Sequence, residues 1–243
     1  MASIENPPDR VVQRMFDRIA GRYDLVNRVI SFRLDNGWRK KAIAAVLRNG
    51  NERILDLGTG TGDLTFAAAK SVQGDGRIIG LDFSLPMIRL ARAKQKADQN
   101  GDRTHFVQAS ALRPPFADEV FDGIMTAFVL RNVSDLRLFF IQSFRLLKPG
   151  GRLVSLDMFP PSKGAFSLLY SFYFYRLMPS IGGLLAQDRQ AYQYLSDSVR
   201  QFASPEKIAE LIEQCGFEKV TLQRFLFGAV CLHMADKPRH KNK

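Results

Sequence analysis

Cysteine is nearly absent: Cys215 and Cys231 are the whole complement of the 243 residues, without CxxC spacing and without histidines beside them. That excludes a thiolate metal cluster, and no metal is expected. One pair in a chain of this size reads as reduced, buried thiols, the usage of a cytoplasmic protein. Histidine is also scarce. His105 opens an apparent strand, His233 lies in the last one and His240 is in the tail, so none stands where a general base is expected. Long apolar runs are missing as well: residues 159–185 are interrupted by Pro160, Pro161, Lys163, Arg176 and Pro179, short of the ~20 continuous apolar residues a membrane span needs. Within residues 1–20, Glu5, Asp9, Arg10, Arg14, Asp17 and Arg18 leave no apolar core for a secretory signal, so a cytoplasmic location is expected.

What is present has globular proportions. A mass of 27.4 kDa, 46% hydrophobic and 24% charged residues predict one domain over residues 1–236 followed by a basic tail, 237–243. A formal charge of +11 favours anionic partners, acidic lipid headgroups or nucleic acid, and Lys237, Arg239, Lys241 and Lys243 read as a solvated end.

Periodicity sets out the elements. Residues 13–30 read as a helix, with Val12 just before it in line with Met15, Phe16 and Ile19 near one face, and residues 38–47 form a second amphipathic helix, stopped by Asn49 and Gly50. Together they make a helical cap over residues 8–48. Short apolar strands then alternate with helices: strands at 53–57, 77–81, 104–108, 123–128 and 152–157, helices at 64–71, 86–100 and 136–146. Such alternation predicts a parallel sheet covered on both faces, with the cofactor-binding core spanning 50–158. Lys148-Pro149-Gly150-Gly151 reads as the turn before the fifth strand. Residues 160–200 do not alternate and read as a helical insertion, and 204–236 as a closing helix and two strands that form an antiparallel edge hairpin.

The first strand runs into Gly58-Thr59-Gly60-Thr61-Gly62, where a ligand can approach backbone and helix N–H groups can face its carboxylate. Asp56, two residues before the first glycine, suits a ligand ammonium group, and a dinucleotide pyrophosphate would gain nothing from that charge. Asp82 lies twenty residues beyond Gly62 at the end of the second strand, where an acid binds ribose hydroxyls. Its alternative duty is a helix N-cap, which Ser84 can equally supply. Met87, one turn on, is placed to pack on an adenine.

These features and the Lys148–Gly151 turn resemble the class I methyltransferases over residues 50–157. The resemblance implies a seven-stranded, mostly parallel Rossmann-like α/β sheet and S-adenosyl-L-methionine as cofactor. It further implies that Thr59, Thr61, Thr65, Phe83, Ser110, Ala111 and Ala127 join Asp56, the three glycines, Asp82 and Met87 in binding it. Ser110 stands where a carboxylate or amide is more usual. A narrower resemblance, to the UbiE-type ubiquinone and menaquinone C-methyltransferases, covers nearly the whole chain. It rests on the run Tyr23-Asp24-Leu25-Val26-Asn27-Arg28-Val29-Ile30-Ser31 with Trp38, on Leu130-Arg131-Asn132-Val133 with 145–153, and on 192–200. The chain departs from that pattern at Asp35, Ala127 and 156–160. Asp35 is similar to menaquinone-type members, which inclines the expected substrate to a prenylated naphthoquinol.

The resemblance implies methyl transfer to a ring carbon beside a hydroxyl, which a cation or hydrogen-bond donor would assist by stabilising the phenolate. Arg131 and Asn132, at the carboxyl edge of the sheet, are the first candidates, with Tyr23, Asp24 and Tyr194 to orient the quinol; Asp24 or a water held by Arg131 would be the base. The alternatives are a salt bridge for Arg131, a turn former or cap for Asn132 and structural duties for the rest. The insertion carries Phe166, Leu168, Leu169, Tyr170, Phe172, Tyr173, Phe174, Tyr175, Leu177 and Met178, a lid over the core or an apolar channel for a polyprenyl tail. Peripheral contact with an anionic membrane would follow. Nucleic acid is not expected as partner, and the oligomeric state is left open, a homodimer included. The rivals are a methyltransferase of RNA or protein, which lacks an NPPY-like motif at 127–129, an NAD-dependent dehydrogenase, which needs another turn spacing, and a non-catalytic lipid-surface module.

Overall fold

The short apolar runs become strands because they are buried on both faces, which a sheet sandwiched between helices permits. The computed structural model describes residues 8–31, 34–161, 165–178, 180 and 188–239, with backbone alone at 30, 165–166 and 168–169. Its strands are β1 (Arg53–Leu57), β2 (Arg77–Asp82), β3 (Thr104–Gln108), β4 (Phe121–Ala127), β5 (Leu147–Met158), β6 (Glu218–Phe225) and β7 (Val230–Asp236). They form one seven-stranded sheet in the order β3-β2-β1-β4-β5-β7-β6. The first five pair in parallel, and β7 runs antiparallel to both β5 and β6. The strand order reverses between β1 and β4, and the crevice outside their carboxyl ends is where an open α/β sheet binds ligands.

Among the described residues the helices are α1 (Asp9–Ile19), α2 (Tyr23–Ile30), α3 (Asp35–Val46), α4 (Asp63–Ala69), α5 (Leu85–Gln95), α6 (Leu136–Leu146), α7 (Ala165–Phe172), α8 (Arg189–Gln201) and α9 (Pro205–Gln214). Alternation along β1 divides the core. Leu55 and Leu57 join Phe121, Phe139, Phe140, Ile208 and Ile212 on one face, while Ile54 joins Ala42, Val46, Leu64 and Val154 on the other. A third cluster stands apart from the sheet: Met15, Ile19 and Val26 of the cap pack on Tyr170, Phe174, Met178, Tyr192 and Val199 of the insertion. Cap and insertion thereby make a common roof.

Several expectations are corrected. The helix expected over 13–30 is broken at Ala20–Arg22, a 3₁₀ turn around Gly21, whose helix propensity is poor. Residues 148–151 are not a turn before a strand, because β5 already begins at Leu147, which pairs with Phe121, and a register shift takes up the extra residues before Gly123. The helix expected to reach residue 100 ends at Gln95. Lys237, expected in a solvated tail, is buried; its Nζ donates to Leu147 O (2.8 Å) and Glu119 Oε1 (3.1 Å), the pairing a buried ammonium requires. Both cysteines are free thiols. Glu5, Lys163, Pro179, His240, Lys241 and Lys243, with the side chains of Ile30, Phe166, Leu168 and Leu169, lie outside the described residues.

Candidate active site

The glycine turn joins β1 to α4, and its first two glycines have different reasons to be there. At Gly58 (φ +75°) a Cβ would lie 2.4 Å from Val129 Cγ2, so the turn is packed against the segment after β4. At Gly60 (φ +57°) the nearest described atom is Tyr23 Cε1, 3.9 Å away, so space is left over the backbone. Gly62 opens α4 with Phe66 and Phe106 close beside it. Asp56 sits beneath the turn: Thr65 Oγ1 donates to its Oδ2 at 2.8 Å, and Thr59 shares the same network. Burial pushes the Asp56 carboxyl up to about 6 against the pull of those hydroxyls. Asp56, Thr59 and Thr65 therefore brace the turn through one network, Thr61 ties it to Asp24 of the cap, and neither these four nor Gly62 borders the crevice.

The crevice itself is bordered by Gly58, Gly60, Asp82, Phe83, Met87, Ala127 and, on its far side, Ser110 and Ala111, all among the expected residues. Asp82 Oδ2 accepts from Gly60 N and Oδ1 from Ser84 N, both at 2.9 Å. Burial raises this carboxyl too, to about 6, in spite of the two amides. The cap of α5 is Ser84, leaving Asp82 to tie the turn to β2. The crevice has two chambers of only about 50 and 40 Å³, because α1 lies across it. Gln13 Nε2 donates to Phe83 O (3.0 Å) and Ser84 Oγ to Asp17 Oδ1 (2.5 Å).

A larger cavity of about 320 Å³ opens under the roof. Its walls are mostly apolar and aromatic, including Phe16, Trp38, Met158, Tyr170 and Phe174, and its polar edge is Tyr23, Arg131, Asn132 and Tyr194. Phe16, Tyr23, Phe128 and Asn132 border both this cavity and the crevice. Arg131 follows β4, is buried, and ion-pairs through Nη1 with Asp157 Oδ1 at 2.5 Å. Asp157, at the end of β5 and fully buried, also accepts from Leu130 N and Met158 N. Asn132 Oδ1 accepts from the Tyr194 hydroxyl at 3.1 Å, and burial pushes that phenol up to about 12. Asp24 is placed elsewhere. It accepts from Thr61 Oγ1 (2.6 Å), pairs with Lys94 (2.6 Å), and does not border the cavity. His233 is buried in β7 against Pro205 O, with its pKa lowered by desolvation, far in sequence and role from this edge.

Asp157 falls in the stretch 156–160, where the chain departs from the family pattern. A carboxylate in an otherwise apolar strand end nevertheless demands a buried partner, and that signal was there to be read. Asn27, Trp38 and Tyr192 in the cavity wall carried no chemical signal of their own.

The fold is that of the Rossmann-like methyltransferases. A SAM-dependent methyltransferase from Thermotoga maritima superposes with a TM-score of 0.66 at 18% identity, covering 93% of this chain and 99% of that one. The ubiE/COQ5 methyltransferase family matches residues 4–237, and the chain belongs to that family. It is a methyltransferase whose cofactor is S-adenosyl-L-methionine. Among its relatives, the demethylmenaquinone methyltransferase of Thermus thermophilus is 42% identical over 92% of this chain and 100% of its own length. The ubiquinone/menaquinone biosynthesis C-methyltransferase UbiE of Geotalea daltonii is 38% identical over 93% of this chain and 96% of its own.

Proposed function

We propose that this chain methylates a ring carbon of a prenylated quinol, demethylmenaquinol first and a polyprenyl methoxybenzoquinol as the second reading. The observation that carries the proposal is an apolar cavity of about 320 Å³ that shares Asn132 and Tyr23 with the glycine-turn crevice and has a buried guanidinium on its edge. Such a volume lies in the range of small-molecule pockets, about 300–1,000 Å³.

Gly58, Gly60, Asp82, Phe83, Met87, Ser110, Ala111 and Ala127 hold the cofactor in this reading, and Asp56, Thr59, Thr61, Gly62 and Thr65 keep the turn in shape. The residues fit the group: Gly60 leaves room over its backbone, and the Asp82 carboxylate, which accepts from the backbone amides of Gly60, Phe83 and Ser84, has acceptor capacity left for a ribose hydroxyl. When bound, S-adenosyl-L-methionine supplies an electrophilic methyl on its sulfonium. Arg131 favours the ionised form of the adjacent ring hydroxyl, so water can take its proton and electron density moves onto the ortho carbon. Tyr23 and Asn132, on the partition between the two spaces, align that carbon with the donor. The methylated carbon's own proton then passes to water, restoring the aromatic ring. Asp24, committed to Lys94 and Thr61, acts as a clasp between cap and turn instead of a base.

The core over 50–158 thus binds the donor, while the cap (8–48) and insertion (160–200) roof the acceptor and 204–236 closes the sheet. Exposed Leu34 and Leu226 border the cavity, and exposed Phe227 follows the latter. With a net charge of +11, this apolar rim suits docking on the cytoplasmic face of an anionic membrane, where a prenyl tail would remain.

The deciding assay incubates the protein with methyl-labelled cofactor and a panel of demethylated, chemically reduced quinols. Label on a ring carbon of the naphthoquinol supports the proposal; label only on RNA added in parallel overturns it.

A further inference from the structure

A buried polar atom without a partner is uncommon enough that each instance calls for an occupant. Arg131 Nε and the Tyr192 hydroxyl are both buried, both belong to residues bordering the large cavity, and neither has a hydrogen-bond partner among the described residues. Their polar neighbours are provided for: Asn132 Oδ1 takes the Tyr194 hydroxyl, Arg131 Nη1 takes Asp157, and Asp35 accepts from Ser31 and Arg39. Arg131 comes from the edge of the sheet and Tyr192 from α8 in the roof, where its side chain is only 2% exposed. Tyr23 stands within electrostatic range of both.

Two unpartnered donors on residues that line one apolar chamber match a ring that carries two oxygens. We infer that Tyr192 determines specificity by donating its phenolic hydrogen bond to the second ring oxygen of a 1,4-dihydroxyarene, while Arg131 Nε binds the oxygen beside the carbon that is methylated. Burial raises the Tyr192 phenol far above its ordinary range, so it meets the ligand as a donor. A hydroxyl with a structural duty bonds to protein. This one has no partner among the described residues, so deleting it relieves the fold of an unsatisfied group and costs only recognition. The inference rests on the quinol reading of the cavity.

The test is a four-cornered cycle: wild type and Tyr192→Phe, each with a reduced demethylnaphthoquinol and with the analogue lacking the far hydroxyl. Comparing ratios cancels the electronic effect of the missing oxygen on the ring. Wild-type kcat/KM should favour the dihydroxy substrate about tenfold more strongly than the variant does, the size of one neutral hydrogen bond, and the difference should sit in KM. Cofactor affinity should be unchanged, and the variant's Tm equal to or above wild type. Equal ratios for the two enzymes overturn the inference, as does a variant that melts several degrees lower, since that marks a structural bond. Wild type inactive on every quinol overturns the proposed function, and this inference with it; wild type active with equal ratios overturns the inference alone.

Discussion

Asp82 is the residue through which pH should act. Its carboxyl is raised from 3.8 to about 6, and so is that of Asp56. A raised acid holds its proton in the folded chain at pH values where the unfolded chain has lost it. The folded state then binds more protons between 3.8 and about 6, and the stability contributed by these two groups falls as pH climbs through that window, levelling off above it. Cofactor binding should run the other way, because ribose hydroxyls donate to the carboxylate and not to the acid. Calorimetric Kd values for S-adenosyl-L-methionine should be flat above pH 7 and weaken by up to about tenfold per unit below about 6. Asp82→Asn should bind at least about tenfold more weakly and lose that pH dependence; a variant that keeps the wild-type profile places the titration elsewhere. Arg131→Gln should lower kcat by about 10²–10³ with cofactor Kd unchanged, the cost of one preorganised donor to developing charge.

At the scale of elements, much of the fold was legible in the sequence. β1 and β3 stand at the expected residues, and the closing strands are an antiparallel pair as expected. Short buried strands and one-sided helices leave unambiguous periods. What the periods could not supply was direction. Asp56 and Asp24 lie in segments that belong to the site, but one points under the turn and the other at Lys94, since neighbours distant in sequence decide where a carboxylate turns. Likewise the roof is made by the described residues of two segments, 8–48 and 160–200, whose mutual packing no local pattern encodes. Of this roof, α1 is the piece that narrows the crevice, through Gln13 to Phe83 and Ser84 to Asp17. A ligand the size of the cofactor needs these ties to yield. Asp17→Ala should therefore raise the association rate of the cofactor several-fold in stopped-flow measurements and increase amide exchange in α1.

For the molecule as a whole, the proposed membrane docking would draw on charge and apolar surface together. None of the described helices is long and apolar enough to cross a membrane. The exposed side chains Leu34, Leu226 and Phe227 are instead suited to lie in an interface, with basic residues adding about 1 kcal/mol each near anionic headgroups. The protein should float with vesicles containing an acidic phospholipid, release as salt rises toward 0.5 M, and ignore purely zwitterionic vesicles. Phe227→Asp should weaken that association without altering turnover of a short-tailed, water-soluble quinol.

Phe16, Tyr23, Phe128 and Asn132 form a party wall between two chambers. An occupant on either side sets the posture of side chains that the other occupant must touch. Whatever factor by which a spent donor tightens or loosens the grip on the acceptor, the acceptor must return in full to that spent donor.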